Sequence, residues 1–462
     1  MQLAITRRGL LAGGIAVAAA AGSDAIPSAS RRPNILFIMA DDLGYADLSC
    51  YGRRDYETPN IDRIAARGVR FTQAYANSAV CSATRLALIT GRYQYRLPLG
   101  LEEPLAGKRD VGLPPDHPTL PSLLKARGYA TALIGKWHLG QPPAFGPSRS
   151  GYDRFWGIRG GALDYYTNLN PRGDHDLWDG DVAAHDNRYL TDVLGDRAVE
   201  VVNAHAGSDK PFLLSLHFNA PHWPWEAPGD REEAERLRGG TLRHYDGGTQ
   251  RTYARMVQAM DLQIGRVLQA LDANGQADNT IVVFTSDNGG ERFSDTWPFT
   301  GVKTELLEGG LRIPALLSWP LRLPAGMVSE QVTMTMDWMP TLLHAAGVSP
   351  HRDYPPDGIS MLPVLEGHAN TVQRAVFWRY KSNAQRAMRD GDLKYLKIRE
   401  NTFLFDVVQD PRERGNLRDR RPRDFGRMVA AWDTWNATML PEISDSFAEV
   451  FTAADLADHI GT

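Results

Sequence analysis

Four short apolar runs constrain this chain more than any other feature: Asn34-Ile-Leu-Phe-Ile-Met39, Tyr129-Ala-Thr-Ala-Leu-Ile134, Pro211-Phe-Leu-Leu-Ser-Leu216 and Thr280-Ile-Val-Val-Phe-Thr285. Their length and composition suit buried strands. Continuous apolar runs, without polar alternation, fit a parallel sheet covered on both faces. Helical patterns lie between them. Tyr253 to Leu271 carries apolar residues at helical spacing and is stopped by Asn274-Gly275, and Leu190 to Val202 reads the same way. Strands alternating with helices indicate an α/β domain.

The pattern changes near Asp357-Gly-Ile-Ser-Met361. Beyond about residue 370 come Ala375–Trp378, Leu393–Leu396 and Phe403–Phe405, separated by turn residues, and then a helical stretch from about Asp424 to Thr438. A chain of 462 residues has room for one large domain and one smaller one. The expected fold is α/β: a large mixed, mostly parallel sheet flanked by helices over residues 33–368, and a smaller C-terminal antiparallel-sheet subdomain over residues 369–462.

Residues 1–26 read as an export signal. Arg7-Arg8 precede an apolar stretch from Leu10 to Ala21, and small residues near Ala21 and Ala25 offer a cleavage site. The paired arginines point to the twin-arginine route, with an ordinary secretory signal or a retained anchor as alternatives. The stretch falls short of the roughly 20 residues that span a bilayer. No later segment has the apolar length of a membrane helix. The expectation is an exported bacterial protein, periplasmic or secreted, with no stable membrane insertion. The net charge is −4 with no Lys/Arg-rich run, which argues against nucleic acid as a partner. The two cysteines, Cys50 and Cys81, allow at most one disulfide.

Polar clusters sit next to all four runs. The first is followed by Asp41-Asp42, the second by Gly135-Lys136-Trp137-His138, the third by His217 and then Pro221-His222, and the fourth by Asp287-Asn288-Gly289. Taken alone, Asp-Asp or Asp-Asn-Gly after a strand is more often a turn. In open α/β sheets, however, ligands bind outside the carboxyl ends of the strands. Four clusters on one such edge would therefore converge. Asp41, Asp42, Asp287 and Asn288 offer only oxygen ligands, which select Ca²⁺ or Mg²⁺ over zinc or copper. Lys136 and Lys303 add charge suited to a tetrahedral oxyanion. A solvated lysine at 303 and a structural histidine at 138 are the plain alternatives.

The segment Asn77-Ser-Ala-Val-Cys81-Ser82-Ala83-Thr84-Arg85-Leu-Ala-Leu-Ile-Thr-Gly91-Arg92 resembles the signature of the sulfatase family, in which the cysteine becomes formylglycine. Further matching segments are Thr58-Pro59-Asn60-Ile-Asp62, Gly135-Lys136-Trp137-His138-Leu-Gly140, Ala220-Pro221-His222-Trp-Pro224, Thr285-Ser-Asp287-Asn288-Gly289 and Gly301-Val-Lys303 with Glu308-Gly-Gly-Leu-Arg312. The likeness runs from about residue 33 to 420. One departure stands out: the usual core is Cys-x-Pro-Ser-Arg, and here Ala83 replaces proline and Thr84 replaces serine.

The resemblance implies a sulfuric ester hydrolase acting on a carbohydrate or aryl sulfate. It implies metal ligands Asp41, Asp42, Asp287 and Asn288, with modified Cys81 as a further ligand. Arg85 would orient the aldehyde hydrate, His138 would deprotonate it, and Lys136 would bridge it to the sulfate. Lys303 and His222 would hold sulfate and protonate the leaving oxygen. His217 stays open as an alternative to His222. A formylglycine-generating enzyme is an expected partner during maturation, because it reads the Cys81 segment in extended form. Two rivals remain: a phosphonate or phosphate ester hydrolase of the same fold, and a non-catalytic sulfated-glycan-binding protein with Cys81 unmodified. Trp137, Tyr165, Trp178, Trp223 and Trp297 are candidate aromatic rim residues near the site loops, with packing as the equal alternative.

Overall fold

The computed structural model describes residues 32–453 and residue 455. The export-signal reading of residues 1–26 lies outside the described residues. Sixteen strands are present among those described: β1 (Asn34–Ala40), β2 (Val69–Phe71), β3 (Ala74–Tyr75), β4 (Ala130–Gly135), β5 (Arg154–Gly157), β6 (Trp178–Asp179), β7 (Val182–Ala183), β8 (Phe212–His217), β9 (Thr280–Ser286), β10 (Ala315–Ser318), β11 (Met327–Ser329), β12 (Thr333–Met334), β13 (Ala375–Tyr380), β14 (Gln385–Asp390), β15 (Leu393–Ile398) and β16 (Asn401–Asp406). Ten of them form one sheet in the order β11-β2-β10-β9-β1-β8-β4-β5-β6-β7. The four apolar runs are its centre, β9-β1-β8-β4, and pair in parallel. Antiparallel strands β10, β6 and β7 flank them, so the sheet is mixed.

The apolar runs are continuous because both faces of the sheet are buried. Along β1, Leu36, Ile38 and Ala40 join one core with the helices Leu190–Ala204 and Gln250–Ala273. Ile35, Phe37 and Met39 face the other core with the helices Cys81–Thr90 and Trp338–Ala345. The register aligns the strand ends: Ala40 lies opposite Ser286, Met39 opposite His217, and Gly135 opposite His217. The polar clusters that follow therefore emerge on one edge.

The second sheet is an antiparallel meander, β13-β14-β15-β16, covered by the helix Pro422–Asn436. Its second strand, Gln-Arg-Ala-Met-Arg-Asp, is too polar to be read as a strand from sequence; Gln385, Ala387 and Arg389 are buried on one face and Met388 on the other. The helix Cys81–Thr90 lies between the two sheets. Leu86 and Ile89 pack into the core of the large sheet, while Ala83 and Ala87 pack against the small one. All of its residues are buried, and its polar ones are satisfied internally: Arg85 by Asp287, Thr84 by the Ser78 backbone and Thr90 by the Leu86 carbonyl. A buried ionic joint also links the sheets. Lys394 of β15 lies 2.9 Å from both Glu308 and Glu413. Glu308 also accepts hydrogen bonds of 2.7 Å from Arg312 and from the Tyr75 hydroxyl.

Candidate active site

Each central strand delivers one part of a buried polar cluster. Asp41 and Asp42 follow β1; Asp42 adopts φ +63°, a left-handed conformation that a short polar side chain tolerates. Its backbone N–H donates to Asp287 Oδ1 at 3.2 Å. At the end of β4 the chain turns through Gly135, with φ +111°, and a Cβ there would lie 1.8 Å from the His217 carbonyl oxygen. Only glycine fits, and the turn leads directly into Lys136. Cys81 occupies the first position of its helix. The Thr84 hydroxyl ties the preceding loop in place, accepting from the Ser78 N–H at 3.0 Å and donating to the Ser78 carbonyl at 3.1 Å. Thr84 thus supplies a hydroxyl where the usual motif has serine, and Ala83 sits in the core rather than the site.

The charges are paired. Arg85 Nη2 and Nε reach Asp287 Oδ2 at 2.8 and 3.0 Å, and Nη2 lies 3.7 Å from Asp41. Lys136 Nζ bonds Asp41. Lys303 Nζ reaches Asp42 at 2.8 Å, while Asn288 Nδ2 donates to Asp42 Oδ1 at 2.7 Å. Burial and the neighbouring Asp287 push the Asp41 carboxyl well up. Burial also raises Asp42, but Lys303 outweighs it and holds that carboxyl below its ordinary value. Burial raises Asp287 too, and Arg85 beside it brings it down overall.

Oxygen atoms in this cluster fit a hard cation. Ligand atoms of Asp41, Cys81 and Asp287 lie within 4.8 Å of one another, as do those of Asp41, Asp42 and His222. Asp41 Oδ1 and Asn288 Oδ1 are buried without a hydrogen-bond donor, which buried oxygens ordinarily have. A divalent cation would satisfy both, and its charge would offset the crowding of the carboxylates.

The cluster forms the floor of a pocket of about 460 Å³ lined by Cys81, His138, His222 and Lys303. His138 Nδ1 stands 3.4 Å from Cys81 Sγ. Its Nε2 lies 2.9 Å from the Leu105 carbonyl, which can only accept, so the ring proton sits on Nε2 and the Nδ1 lone pair faces residue 81. His222 Nδ1 likewise donates to the Trp223 carbonyl at 2.7 Å, leaving Nε2 3.5 Å from Asp42. Burial pushes the Cys81 thiol up to about 12 and both histidines well down. An un-ionised thiol is a weak nucleophile.

Residues 33–348 match the family model described as Sulfatase, and residues 302–425 match that described as N-sulphoglucosamine sulphohydrolase, C-terminal. The chain belongs to the sulfatase family. It is 33% identical to N-acetylgalactosamine-6-sulfatase of Canis lupus familiaris over 82% of this chain and 74% of that protein. It is 33% identical to arylsulfatase J of Mus musculus over 89% and 77% of the two chains. Among solved structures it resembles Ps i-CgsB in complex with k-i-k-neocarrahexaose, with a TM-score of 0.80 at 30% identity, covering 93% of this chain and 98% of that one. The chain is a sulfuric ester hydrolase by this membership.

Within this sulfatase the ten expected site residues gather at one place: Asp41, Asp42, Cys81, Arg85, Lys136, His138, His222, Asp287, Asn288 and Lys303 are all buried around the pocket floor. His217 is not among the pocket residues. Its Nδ1 bonds the Lys136 carbonyl at 3.2 Å, and its ring lines a separate small cavity with Phe37 and Trp137. Cys50 and Cys81 are both free thiols, not a disulfide. Of the rim candidates, Trp178 and Trp223 line the pocket. Trp137 and Tyr165 are buried packing residues instead. Trp137 Nε1 donates to the Gly140 carbonyl at 2.9 Å, and the Tyr165 hydroxyl braces the His222 loop through the carbonyls of Asn219 and His222. Trp297 is 63% exposed and lies outside the pocket lining.

Apart from Trp178 and Trp223, sequence reasoning missed the pocket's outer wall. Arg159, Arg243 and Glu449 line it, together with the basic residues Lys108, Arg109 and Arg172. Arg159 alone follows an apolar run, the short Phe155-Trp-Gly-Ile158, and none sits in a recognisable motif.

Proposed function

We propose that this sulfatase hydrolyses a sulfate ester of a carbohydrate or aryl alcohol, with Cys81 converted to formylglycine and Ca²⁺ or Mg²⁺ held by Asp41, Asp42, Asp287 and Asn288. The observation that carries this reading is the buried cluster of three carboxylates and three cations with Cys81 and His138 at its pocket face. The cation would neutralise the ester oxygens, and the hydrated aldehyde would supply two hydroxyls on one carbon, so that one can carry the sulfuryl group and the other can expel it.

The chain's own residues do the rest. Arg85, fixed by Asp287 and by a 3.3 Å bond to the Lys136 carbonyl, orients the side chain at position 81. His138 presents the Nδ1 lone pair to that side chain and takes its proton. Lys136 and Lys303 place positive charge on either side of the sulfate. Lys303 remains protonated, because Asp42 and the neighbouring Glu449 and Glu291 raise it against the opposing effect of burial. His222, next to Lys303, stands on the leaving-group side, where an anionic ester favours its protonated form.

The export reading rests on Arg7-Arg8 and the apolar stretch behind them. Among the described residues no helix is long and apolar enough to cross a membrane.

Mass spectrometry of the Cys81 peptide from active protein tests the central step. The expected mass is that of the aldehyde or its hydrate. A homogeneous thiol in turning-over enzyme would overturn the mechanism.

A further inference from the structure

The pocket's outer wall is completed by chain that lies beyond both family matches. After the helix Pro422–Asn436, residues 443–449 return across the small sheet. Lys381 Nζ donates to the carbonyls of Ile443 and Ser444 at 2.9 and 2.8 Å. The Phe447 N–H donates to Glu102 at 3.1 Å, and the Glu449 N–H donates to the Glu103 carbonyl at 2.7 Å. The Tyr380 hydroxyl donates to the Glu449 carbonyl at 2.7 Å. These bonds fix a strap whose end places the Glu449 side chain, 7% exposed, in the pocket wall.

Glu449 is paired on one side only. Oε1 bonds Arg243, while Oε2 lies 3.8 Å from Lys303 Nζ and has no hydrogen-bond donor. The Arg243 guanidinium is held over the Trp223 ring, 5.0 Å from its centroid. Trp223 Nε1–H is buried without an acceptor. All three side chains line the pocket, on the wall next to His222 and Lys303.

A carboxylate this close to the sulfate-facing lysine opposes an anionic substrate. Keeping Lys303 protonated uses only its charge, and Asp42 at 2.8 Å and Glu291 already serve that end. An unmet acceptor beside a guanidinium and an unmet indole donor is, however, a set that reads hydroxyl groups, which both donate and accept. We propose that Glu449, Arg243 and Trp223 bind the alcohol half of the ester, and that this alcohol is a sugar with a free hydroxyl next to the sulfated position. Glu449 would accept from that hydroxyl, and the Trp223 indole would donate to an oxygen of the same ring. This inference rests on the sulfatase reading above.

The test is the ratio of kcat/KM between monosulfated sugars and 4-nitrophenyl sulfate, measured on the mature, metal-loaded enzyme. A site built to hydrogen-bond a substrate hydroxyl discriminates strongly against a partner that lacks it. Glu449→Gln should therefore lower the ratio of best sugar to aryl sulfate about 30-fold, through loss of the sugar rate. Trp223→Phe keeps the ring under Arg243 and removes only the indole N–H. It should lower the same ratio, and it serves if Glu449→Gln does not accumulate as folded protein. An unchanged ratio, whether both rates fall together or neither moves, overturns the proposal, because Glu449 then acts only through Lys303. Wild-type turnover of the aryl sulfate with no sugar sulfate hydrolysed also overturns it. Turnover of neither class is a different failure, since it removes the sulfatase reading itself.

Discussion

The inner and outer walls of the pocket are built on opposite principles. The inner wall consists of strand ends and one helix start, and its cations and carboxylates are matched. Arg85 meets Asp287, Lys136 meets Asp41, and Lys303 meets Asp42. The outer wall is loop, strap and short strand, and its charges are uneven: Lys108, Arg109, Arg159, Arg172 and Arg243 face Asp174, Asp176 and Glu449. Rigid parallel strands can hold reacting groups to fractions of an ångström, which chemistry requires. Loops tolerate exchange of residues without disturbing that geometry, and so carry selectivity. On the proposed reading, the reaction belongs to the sheet and the choice of substrate to what covers it.

The sharpest way to break that division is Cys81→Ala. On the proposed mechanism the inner wall loses its nucleophile precursor and little volume, so turnover should fall by at least about 10³-fold. The thermal midpoint should barely move, and aryl sulfate and sugar sulfate rates should fall together. Rates falling unequally would mean that residue 81 also selects substrate, and the two walls would no longer be separable.

Lys394→Met attacks the joint between them. Lys394 is fully buried with Glu308 and Glu413 at 2.9 Å. Removing one partner of a buried pair typically costs about 3–5 kcal/mol, because it leaves carboxylates buried without compensation. Arg312 remains on Glu308, so the lower end of that range is expected, read as a fall in the thermal midpoint. The small sheet carries Tyr380 and Lys381, which hold the strap. Loss of the sugar-over-aryl preference should therefore precede loss of aryl sulfatase activity as temperature rises. Simultaneous loss would show that strap and floor unfold as one unit.

The same contrast explains what the sequence made legible. Asp42 and Asp287 touch although 245 positions separate them, yet each is announced by the apolar run directly before it. Parallel pairing aligns the ends of such runs, so adjacency along the chain stands in for adjacency in space. His222 against His217 could not be resolved this way, because both follow the apolar run over residues 211–216, His217 as the last residue of β8 and His222 in the loop beyond it. His217, still within the strand, turns its ring to the Lys136 carbonyl and Phe37, while the loop after β8 carries His222 to the pocket. Arg243 and Glu449 meet across 206 positions with no run or turn signal beside either. Glu449 is placed by how Lys381, Tyr380 and Glu103 secure the strap, and Arg243 by its contacts with Glu449 and the Trp223 ring, which is tertiary packing with no local periodicity. For the same reason β14 was invisible: its buried Arg389 finds partners in Tyr75 and Gln73, and a strand stabilised by buried arginine looks polar along the sequence.

Trp178→Ala probes the outer wall where the expected effect is smallest. Trp178 is half-buried on β6, donates from Nε1 to Asp176 at 2.8 Å, and lies beneath the Arg159 guanidinium at 4.0 Å. Arg159 keeps its bond to Asp181, so losing the ring frees the arginine without leaving it unpaired. A partly exposed cation–π contact is worth about 0.5–1 kcal/mol. Without it the bound substrate must order Arg159 itself, so KM for a sulfated oligosaccharide should rise about two- to fivefold through lost preorganisation, with kcat unchanged, because Arg159 would meet the substrate equally in the ground and transition states. A fall in kcat at constant KM would place Trp178 in the reaction rather than in binding. The boundary between the walls would then run through β6, and the loops could no longer be treated as an interchangeable cover over a fixed floor.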